Sequence, residues 1–196
     1  MPWTITHCEV YKVETSDLEE YFDPSIDPAA EANKTHIRVA LALNDPAILY
    51  NSLVLFYDVT FDSPGALPKY RKNQEVSMLS VNILGLDSFT VNSMALIGES
   101  AVLALGIENY GIIFYCILDF RVLRYVSLVD LYGEPFLVNS IVPQGQLMML
   151  MAMVNNQAIY SISVAEKEDV IDYDPQEIET LFDFRKITIE NIYLDS

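Results

Sequence analysis

The chain has 196 residues, of which 28 are acidic and 11 are basic, and its formal net charge is −17. Hydrophobic residues make up 52% of it, and it has only two cysteines and seven glycines, so it is neither disordered, disulfide-stapled nor collagen-like. Nucleic acids and anionic membranes are bound mainly through lysine and arginine, so this charge disfavours both as direct partners. We expect one or more protein partners, and no small-molecule substrate is evident.

The negative charge is concentrated at the two ends of the sequence. Residues 1–35 contain eight acids and two bases, and residues 165–196 contain ten acids and three bases. Acidic flanks either keep a protein soluble or contact a basic neighbour. We therefore treat residues 14–35 as an acidic insertion, and residues 165–196 as an acidic tail attached to a domain that spans residues 1–164.

The two cysteines and the N-terminus bear on the compartment. Cys8 and Cys116 are far apart and belong to no CxxC motif, so a reduced protein in the cytoplasm or nucleus is expected. The N-terminus lacks the basic start and apolar run of a secretory signal. The apolar stretch 147–154 is too short to cross a bilayer.

The first third of the chain predicts strands interrupted by the acidic insertion. Residues 3–13 alternate β-branched and aromatic residues, which predicts a half-buried strand. The prolines after Asp23 and Asp27 indicate a surface loop. Residues 37–43 and 53–59 predict two further strands, and the basic run that begins at Lys69 suits an exposed sheet edge.

The most informative pattern is an internal repeat of 47 residues between positions 91 and 164. The shift superimposes Val91-Asn92-Ser93 on Val138-Asn139-Ser140, and it also aligns glycines and apolar positions further along. Each copy predicts a short strand, a glycine turn, an apolar strand, a polar turn and a third strand. In the first copy, residues 121–128 supply a fourth strand whose two arginines suit a position in contact with solvent.

Periods of this length with about four strands per unit are typical of β-propeller blades. The chain resembles WD40-like β-propellers over residues 36–164, because residues 53–59 look like the end of that family's third strand. There Tyr57-Asp58 stands where Trp-Asp is usual. The resemblance implies an all-β fold, a partial β-propeller of about three four-stranded antiparallel blades.

Propellers close with about four to eight blades, so three would leave faces to be covered by another chain or by missing sequence. The alternative is a β-sandwich or a closed β-barrel, which would show similar alternation and turns. In the tail, residues 176–182 predict a short helix, and residues 186–194 predict a terminal strand that completes the third blade or pairs elsewhere.

No catalytic, metal-binding or cofactor-binding motif is visible. His7 and His36 fall in or beside predicted strands with no placed carboxylate or nucleophile, so structural roles are expected. The acidic clusters lack the central glycine and the terminal glutamate of a helix-loop-helix calcium-binding loop, so a solvated surface is expected. The methionines between 148 and 153 are expected to fill core gaps. We predict no enzyme activity, no catalytic residues, no metal and no cofactor.

Two groups of residues are candidates for partner binding. Arginines and aromatics are enriched at protein interfaces, so Arg121, Arg124 and Tyr125 form the first group. The second group is acidic and consists of Glu166, Glu168 and Asp169.

The predicted function is that of a non-catalytic protein–protein interaction scaffold. It would be a structural subunit of a larger intracellular multiprotein assembly, with the propeller completed by a partner chain or by missing sequence. The alternative is an acidic β-domain that acts as an inhibitor or mimic by presenting carboxylates to a basic protein surface.

Overall fold

The computed structural model describes residues 3–14, 18, 27–45, 52–76, 90–97, 100–108, 111–128, 137–144, 149–155, 158–166 and 182–194. These residues form twelve strands and one short helix. The strands make three four-stranded antiparallel sheets, each in chain order. The first sheet contains β1 (Thr4–Lys12), β2 (Thr35–Asn44), β3 (Ser52–Phe61) and β4 (Lys69–Val76). The second contains β5 (Val91–Leu96), β6 (Val102–Ile107), β7 (Gly111–Cys116) and β8 (Arg121–Ser127). The third contains β9 (Val138–Pro143), β10 (Met149–Val154), β11 (Ala158–Glu166) and β12 (Phe182–Leu194).

The predicted all-β class with three four-stranded, blade-like sheets is confirmed. Each sheet is a simple meander, in which every strand pairs with the one that follows it in sequence. In the described part of the chain no sheet closes on itself, which removes the closed barrel, and there are three sheets rather than the two of a sandwich.

The 47-residue repeat is present in the strand register. In the second sheet Val91 pairs with Ile107, and in the third sheet Val138 pairs with Val154. Both ladders have an irregularity directly after this first pair, at equivalent positions. Every pair between β6 and β7 also recurs, 47 residues on, between β10 and β11. The repeat is therefore a structural repeat and not a coincidence of composition.

The chain divides into two compact units. The first unit comprises Met1–Ser88 together with Leu118–Phe120, and it contains the first sheet. The second comprises Phe89–Ile117 and Arg121–Ser196, and it contains the other two sheets.

In the second unit the two sheets pack face to face. β5 of the second sheet packs against β9 of the third sheet. The Ile141 amide of β9 donates a hydrogen bond to Ser93 Oγ of β5 at 2.8 Å. Gly106 lies at this contact, since a Cβ atom there would be 2.9 Å from Val138 Cγ1. The close approach of the sheets therefore depends on a residue without a side chain.

The middle strands of the second sheet are buried on both faces. Every residue of β6 and β7 is buried. One face contributes Ala104 and Phe114 to a core cluster that also contains Leu150, Ala152 and Ile162 of the third sheet. Double-sided burial explains why the sequence of β6 and β7 is continuously apolar instead of alternating.

The acidic insertion contains two features that the sequence analysis did not predict. Helix α1 spans Pro28–Glu31, and the Asp27 side chain caps it by accepting a hydrogen bond from Ala29 N at 3.0 Å. The Asp27-Pro28 pair therefore starts a helix, with proline in the first turn, instead of only ending a strand. Leu18 is completely buried in a small cluster with Val13, so the insertion is anchored at that residue.

The tail supplies the fourth strand of the third sheet. The predicted strand is present as β12, which begins at Phe182 and pairs with β11. The predicted helix at 176–182 lies outside the described residues except for Phe182. The described part of the chain contains no helix with the length and hydrophobicity needed to span a lipid bilayer.

Candidate functional site

The predicted partner-binding residues are only partly placed by the structure. Arg121 and Arg124 are exposed on β8, an edge strand, and Tyr125 is half-buried beside them. Glu166 ends β11, but its side chain lies outside the described set, as do Glu168 and Asp169. The three residues of the first group therefore lie on one strand, where the neighbours Arg124 and Tyr125 point to opposite faces of the sheet, and the acidic group stays a prediction.

The first sheet has two unlike faces. From position 36 to 42 on β2 and from 52 to 58 on β3 the even-numbered residues are buried, whereas the odd-numbered residues from 37 to 43 and from 53 to 59 are half-buried. Strand residues alternate between the faces of a sheet, so each parity marks one face. We call the buried side the Arg38 face and the other the Leu41 face.

At the centre of the Arg38 face is a buried ion pair. The Arg38 side chain is completely buried, and its Nε and Nη2 donate to the two carboxylate oxygens of Asp58 at 2.7 and 3.2 Å. The remaining nitrogen, Nη1, donates to the Leu118 carbonyl at 2.9 Å. This bidentate geometry suits arginine, because the planar guanidinium matches a carboxylate.

Asp58 is also the acceptor for two residues of β4. Asn73 Nδ2 donates to Asp58 Oδ2 at 2.5 Å, and Arg71 Nη2 approaches the same oxygen at 3.3 Å. Arg71 is half exposed, so it links the buried carboxylate to the surface. The Asp58 carboxylate thus joins β2, β3 and β4.

The aromatic ring of Phe120 covers the guanidinium group of Arg38. The Arg38 Cζ atom lies 4.6 Å from the ring centroid, and the ring also packs edge to face against Phe56, with centroids 5.3 Å apart. Phe120 has a φ of 60°, an unusual value for a bulky residue. Its ring contacts with Arg38 and Phe56 hold it in that conformation.

A hydroxyl, an imidazole and a carboxylate meet at one end of the same face. His36 is buried, its Nδ1 lies 3.1 Å from Thr60 Oγ1, and its Nε2 lies 3.2 Å from Glu31 Oε2. Burial lowers the pKa of His36, while the negative charge of Glu31 acts in the opposite direction. The other Glu31 oxygen binds Lys34 Nζ at 2.7 Å, and this contact raises the pKa of Lys34.

These three groups are the types used in nucleophilic catalysis, but their arrangement here favours a structural role. Lys34 neutralises Glu31, so the carboxylate is not reserved for the imidazole. Lys34 also lies 3.8 Å from Asp62, which binds Lys69 at 2.7 Å. Glu31, Lys34, Asp62 and Lys69 therefore form a series of ion pairs in which negative and positive charges alternate.

The Leu41 face is apolar at its centre. Its residues lie in four cross-strand rows, which run from β1 through β2 to β3: Ile5–Leu43–Leu53, Cys8–Leu41–Leu55, Val10–Val39–Tyr57 and Lys12–Ile37–Val59. Val10 and Ile5 are 53% and 59% exposed. Tyr70 and Lys72 of β4 continue the last two rows at the edge, and both are exposed.

The third sheet also has a partly exposed face. On β10, Leu150 and Ala152 are fully buried, whereas Met151 between them is half-buried on the opposite side. Its cross-strand neighbour Val142 is 50% exposed. Met151 therefore lies outside the core cluster, contrary to the expectation that the methionines fill core gaps. The side chains of Met149 and Met153 lie outside the described set, as does Met148.

Neither the Arg38–Asp58 pair nor the groups around His36 were predicted from the sequence. A signal for the pair was present, because Arg38 and Asp58 are charged residues inside otherwise apolar strand runs, where an unpaired charge would be unfavourable. The carboxylate partner of His36 was not recognisable, since it lies on a helix that was predicted as loop.

Cys116 is buried and Cys8 is exposed on the Leu41 face.

Within the described ranges, no three His, Cys, Asp or Glu side chains are grouped so that they could hold a metal ion. No protein-family model matches the chain, and a search of curated proteins found no similar one.

Proposed function

We propose that the chain is a non-catalytic interaction module, an incomplete WD40-like β-propeller that serves as a structural subunit of a larger intracellular assembly. A partner chain, or sequence beyond these residues, would complete the propeller. Cys8 and Cys116 form no disulfide bond, which is in keeping with a reducing compartment, and the net charge of −17 disfavours nucleic acid and membranes as direct partners.

The observation that carries this proposal is the half-exposed Leu41 face. The central strands of a sheet normally bury their apolar side chains, as β6 and β7 do on both faces. In the first sheet the apolar side chains of Leu41 and Leu55 lie in central strands but remain half-buried. An apolar surface left in contact with water marks a site for another polypeptide.

Repetition also supports the propeller part of the proposal. Three consecutive four-stranded meanders, two of them with the same register 47 residues apart, follow the organisation of blades. Blades bury their faces against neighbouring blades, so a set of three requires further sheets. The resemblance at Tyr57-Asp58 favours the WD40-like type.

The test is to isolate the full-length chain with its native neighbours and to identify them by mass. We expect a defined complex in which at least one other polypeptide is present in fixed ratio to this chain. Light scattering and circular dichroism of the purified chain provide the second measurement. A fully folded, monodisperse monomer at micromolar concentration that has no native partner would contradict the proposal.

A further inference from the structure

We propose that the Leu41 face is the docking surface for a β-sheet of a different polypeptide that carries net positive charge. This inference rests on the proposed function, and it adds which face is covered and by what kind of partner.

The register of the first sheet defines the shape of this surface. The four cross-strand rows place apolar side chains such as Val39, Leu41 and Leu55 in the middle, with Lys12 and Lys72 at two corners. A flat, ridged surface of this kind is complementary to the side-chain ridges of another sheet. A helix would contact only a stripe of it.

The second unit shows how the same chain covers such a surface. There the apolar face that contains Ala104 and Phe114 is covered by another four-stranded sheet, through Leu150, Ala152 and Ile162. A sheet is therefore the kind of surface that this chain uses to bury a sheet face.

The size of the Leu41 face is sufficient for a specific contact. With strands about 4.8 Å apart and a rise of about 3.3 Å per residue, four strands of eight residues cover roughly 500 Å² on each partner. Both partners together would bury on the order of 1,000 Å², which is near the lower limit for a specific interface. Trp3, two residues before Ile5, is also exposed and adds apolar surface at the start of β1.

Charge argues against a second copy of this chain as the occupant. Two copies would bring together net charges of −17 each. The sequence from Glu14 to Glu31 leaves the end of β1 and contains seven acids and no base. Long-range attraction therefore favours a partner of positive net charge, whereas the apolar rows would hold it after docking.

Cys8 provides a native probe for the test, because it lies on the Leu41 face and is exposed, while Cys116 is buried and serves as an internal reference. The native complex and the isolated chain are treated with N-ethylmaleimide under reducing-agent-free conditions, and labelling is followed by mass. We expect Cys8 to be labelled in the isolated chain and to lose its labelling in the complex. Labelling of Cys8 at the same rate in both samples would overturn the inference.

A matched probe on the third sheet separates this inference from the general proposal. In a Cys8→Ser, Val142→Cys chain the new thiol reports the exposed face next to Met151. Protection at Val142→Cys with full labelling of Cys8 would show that a complex exists but docks elsewhere, so only the inference would fail. If no complex can be isolated, the proposed function fails.

The occupant is identified with a benzophenone maleimide that is attached to Cys8 of the isolated chain before the complex is reassembled and irradiated. We expect the cross-linked peptide to come from a different chain of positive net charge, and to alternate apolar with polar residues. A peptide from this same chain in a second copy, or from an acidic or helical segment, would overturn the inference.

Val10→Lys should weaken assembly, whereas Leu67→Lys, at a residue 90% exposed outside the face, should leave it unchanged.

Discussion

At the residue scale, Arg38 and Asp58 are the pair on which the buried face of the first sheet depends. Each of the three nitrogens of the Arg38 guanidinium group has an acceptor, at Asp58 or at the Leu118 carbonyl. A buried charge is tolerated only when its donors are satisfied and its charge is balanced, so neither residue can be removed alone.

We predict that Asp58→Asn lowers the free energy of unfolding by about 3–5 kcal/mol, because Arg38 would remain buried without a counter-charge. Urea-induced unfolding followed by circular dichroism measures this change. The double variant Arg38→Met, Asp58→Leu should recover most of the loss, since apolar residues can replace a buried ion pair.

Arg71→Met is the matched control for this prediction. It removes an arginine that contacts the same Asp58 oxygen but is half exposed, so the expected loss is under about 1 kcal/mol. Equal losses for Asp58→Asn and Arg71→Met would show that the buried pair contributes no more to the free energy of unfolding than the half-exposed contact does.

His36 predicts a dependence of stability on pH. Burial lowers its pKa from 6.5, so the folded state prefers the neutral imidazole and the unfolded state binds the proton more tightly. The stabilisation is therefore fully present well above pH 6.5. It is lost as the pH falls below 6.5 and through the lower pKa of the folded state.

The measurement is the urea concentration at the midpoint of unfolding, determined at several pH values between 7.5 and 5. It is compared with the pKa of His36 from a proton NMR titration. His36→Gln should flatten the part of the pH profile below 6.5. His7→Gln, on the exposed first strand, should leave the profile unchanged. A pKa above 6.5 in the NMR titration of His36 would contradict the prediction that burial lowers this pKa.

At the scale of elements, the second and third sheets show one strand register used twice with different packing details. Gly106 lies at the contact with Val138, at the register position that Met153 occupies in the third sheet. The repeat therefore fixes hydrogen-bond pairing, and individual side chains then set how closely the sheets approach.

We predict that Gly106→Ala destabilises the second unit by about 1–3 kcal/mol, because the added methyl group would meet Val138 Cγ1 and Ile141 Cδ1 in a packed interface. Thermal unfolding measures the loss. Leu67→Ala is the control: Leu67 is 90% exposed, so the change should be within about 0.5 kcal/mol. Equal effects at both positions would contradict the close-packing explanation.

At the scale of the whole molecule, the chain combines strong negative charge with an exposed apolar sheet face. The charge keeps isolated molecules apart, while Val10 and Ile5 present apolar surface to water. Under the proposed function, the charge would limit self-association and the apolar face would provide the contact surface for a partner.

We predict that the isolated chain binds the dye ANS and that the pair of substitutions Ile5→Lys, Val10→Lys reduces this binding without lowering the melting temperature by more than about 4–8 °C. Both residues are more than half exposed, so their replacement disturbs little packing. Leu67→Lys is the control and should leave dye binding unchanged. Undiminished fluorescence in the double variant would place the apolar surface elsewhere.

The sequence by itself determined the strands and their grouping. Alternation placed β1 to β3, and the 47-residue period placed β5 to β7 and β9 to β11, because side-chain periodicity and turn residues act locally. The exposed basic run from Lys69 was recognised as an edge for the same reason. Helix α1 was missed, because an Asp-Pro pair can end one element or begin another, and only its surroundings decide which.

Tertiary structure alone decided which residues meet across the fold. The Arg38–Asp58–Leu118 contacts join positions that are 20 and 80 residues apart in sequence, and no local pattern specifies such a distance. The contrast between the buried centre of the Arg38 face and the half-buried Leu41 face was also invisible in sequence, because the odd-numbered residues of β2 and β3 are the more apolar set and yet are the less buried one. Burial depends on what packs against each face of a sheet, and that is a property of the folded molecule.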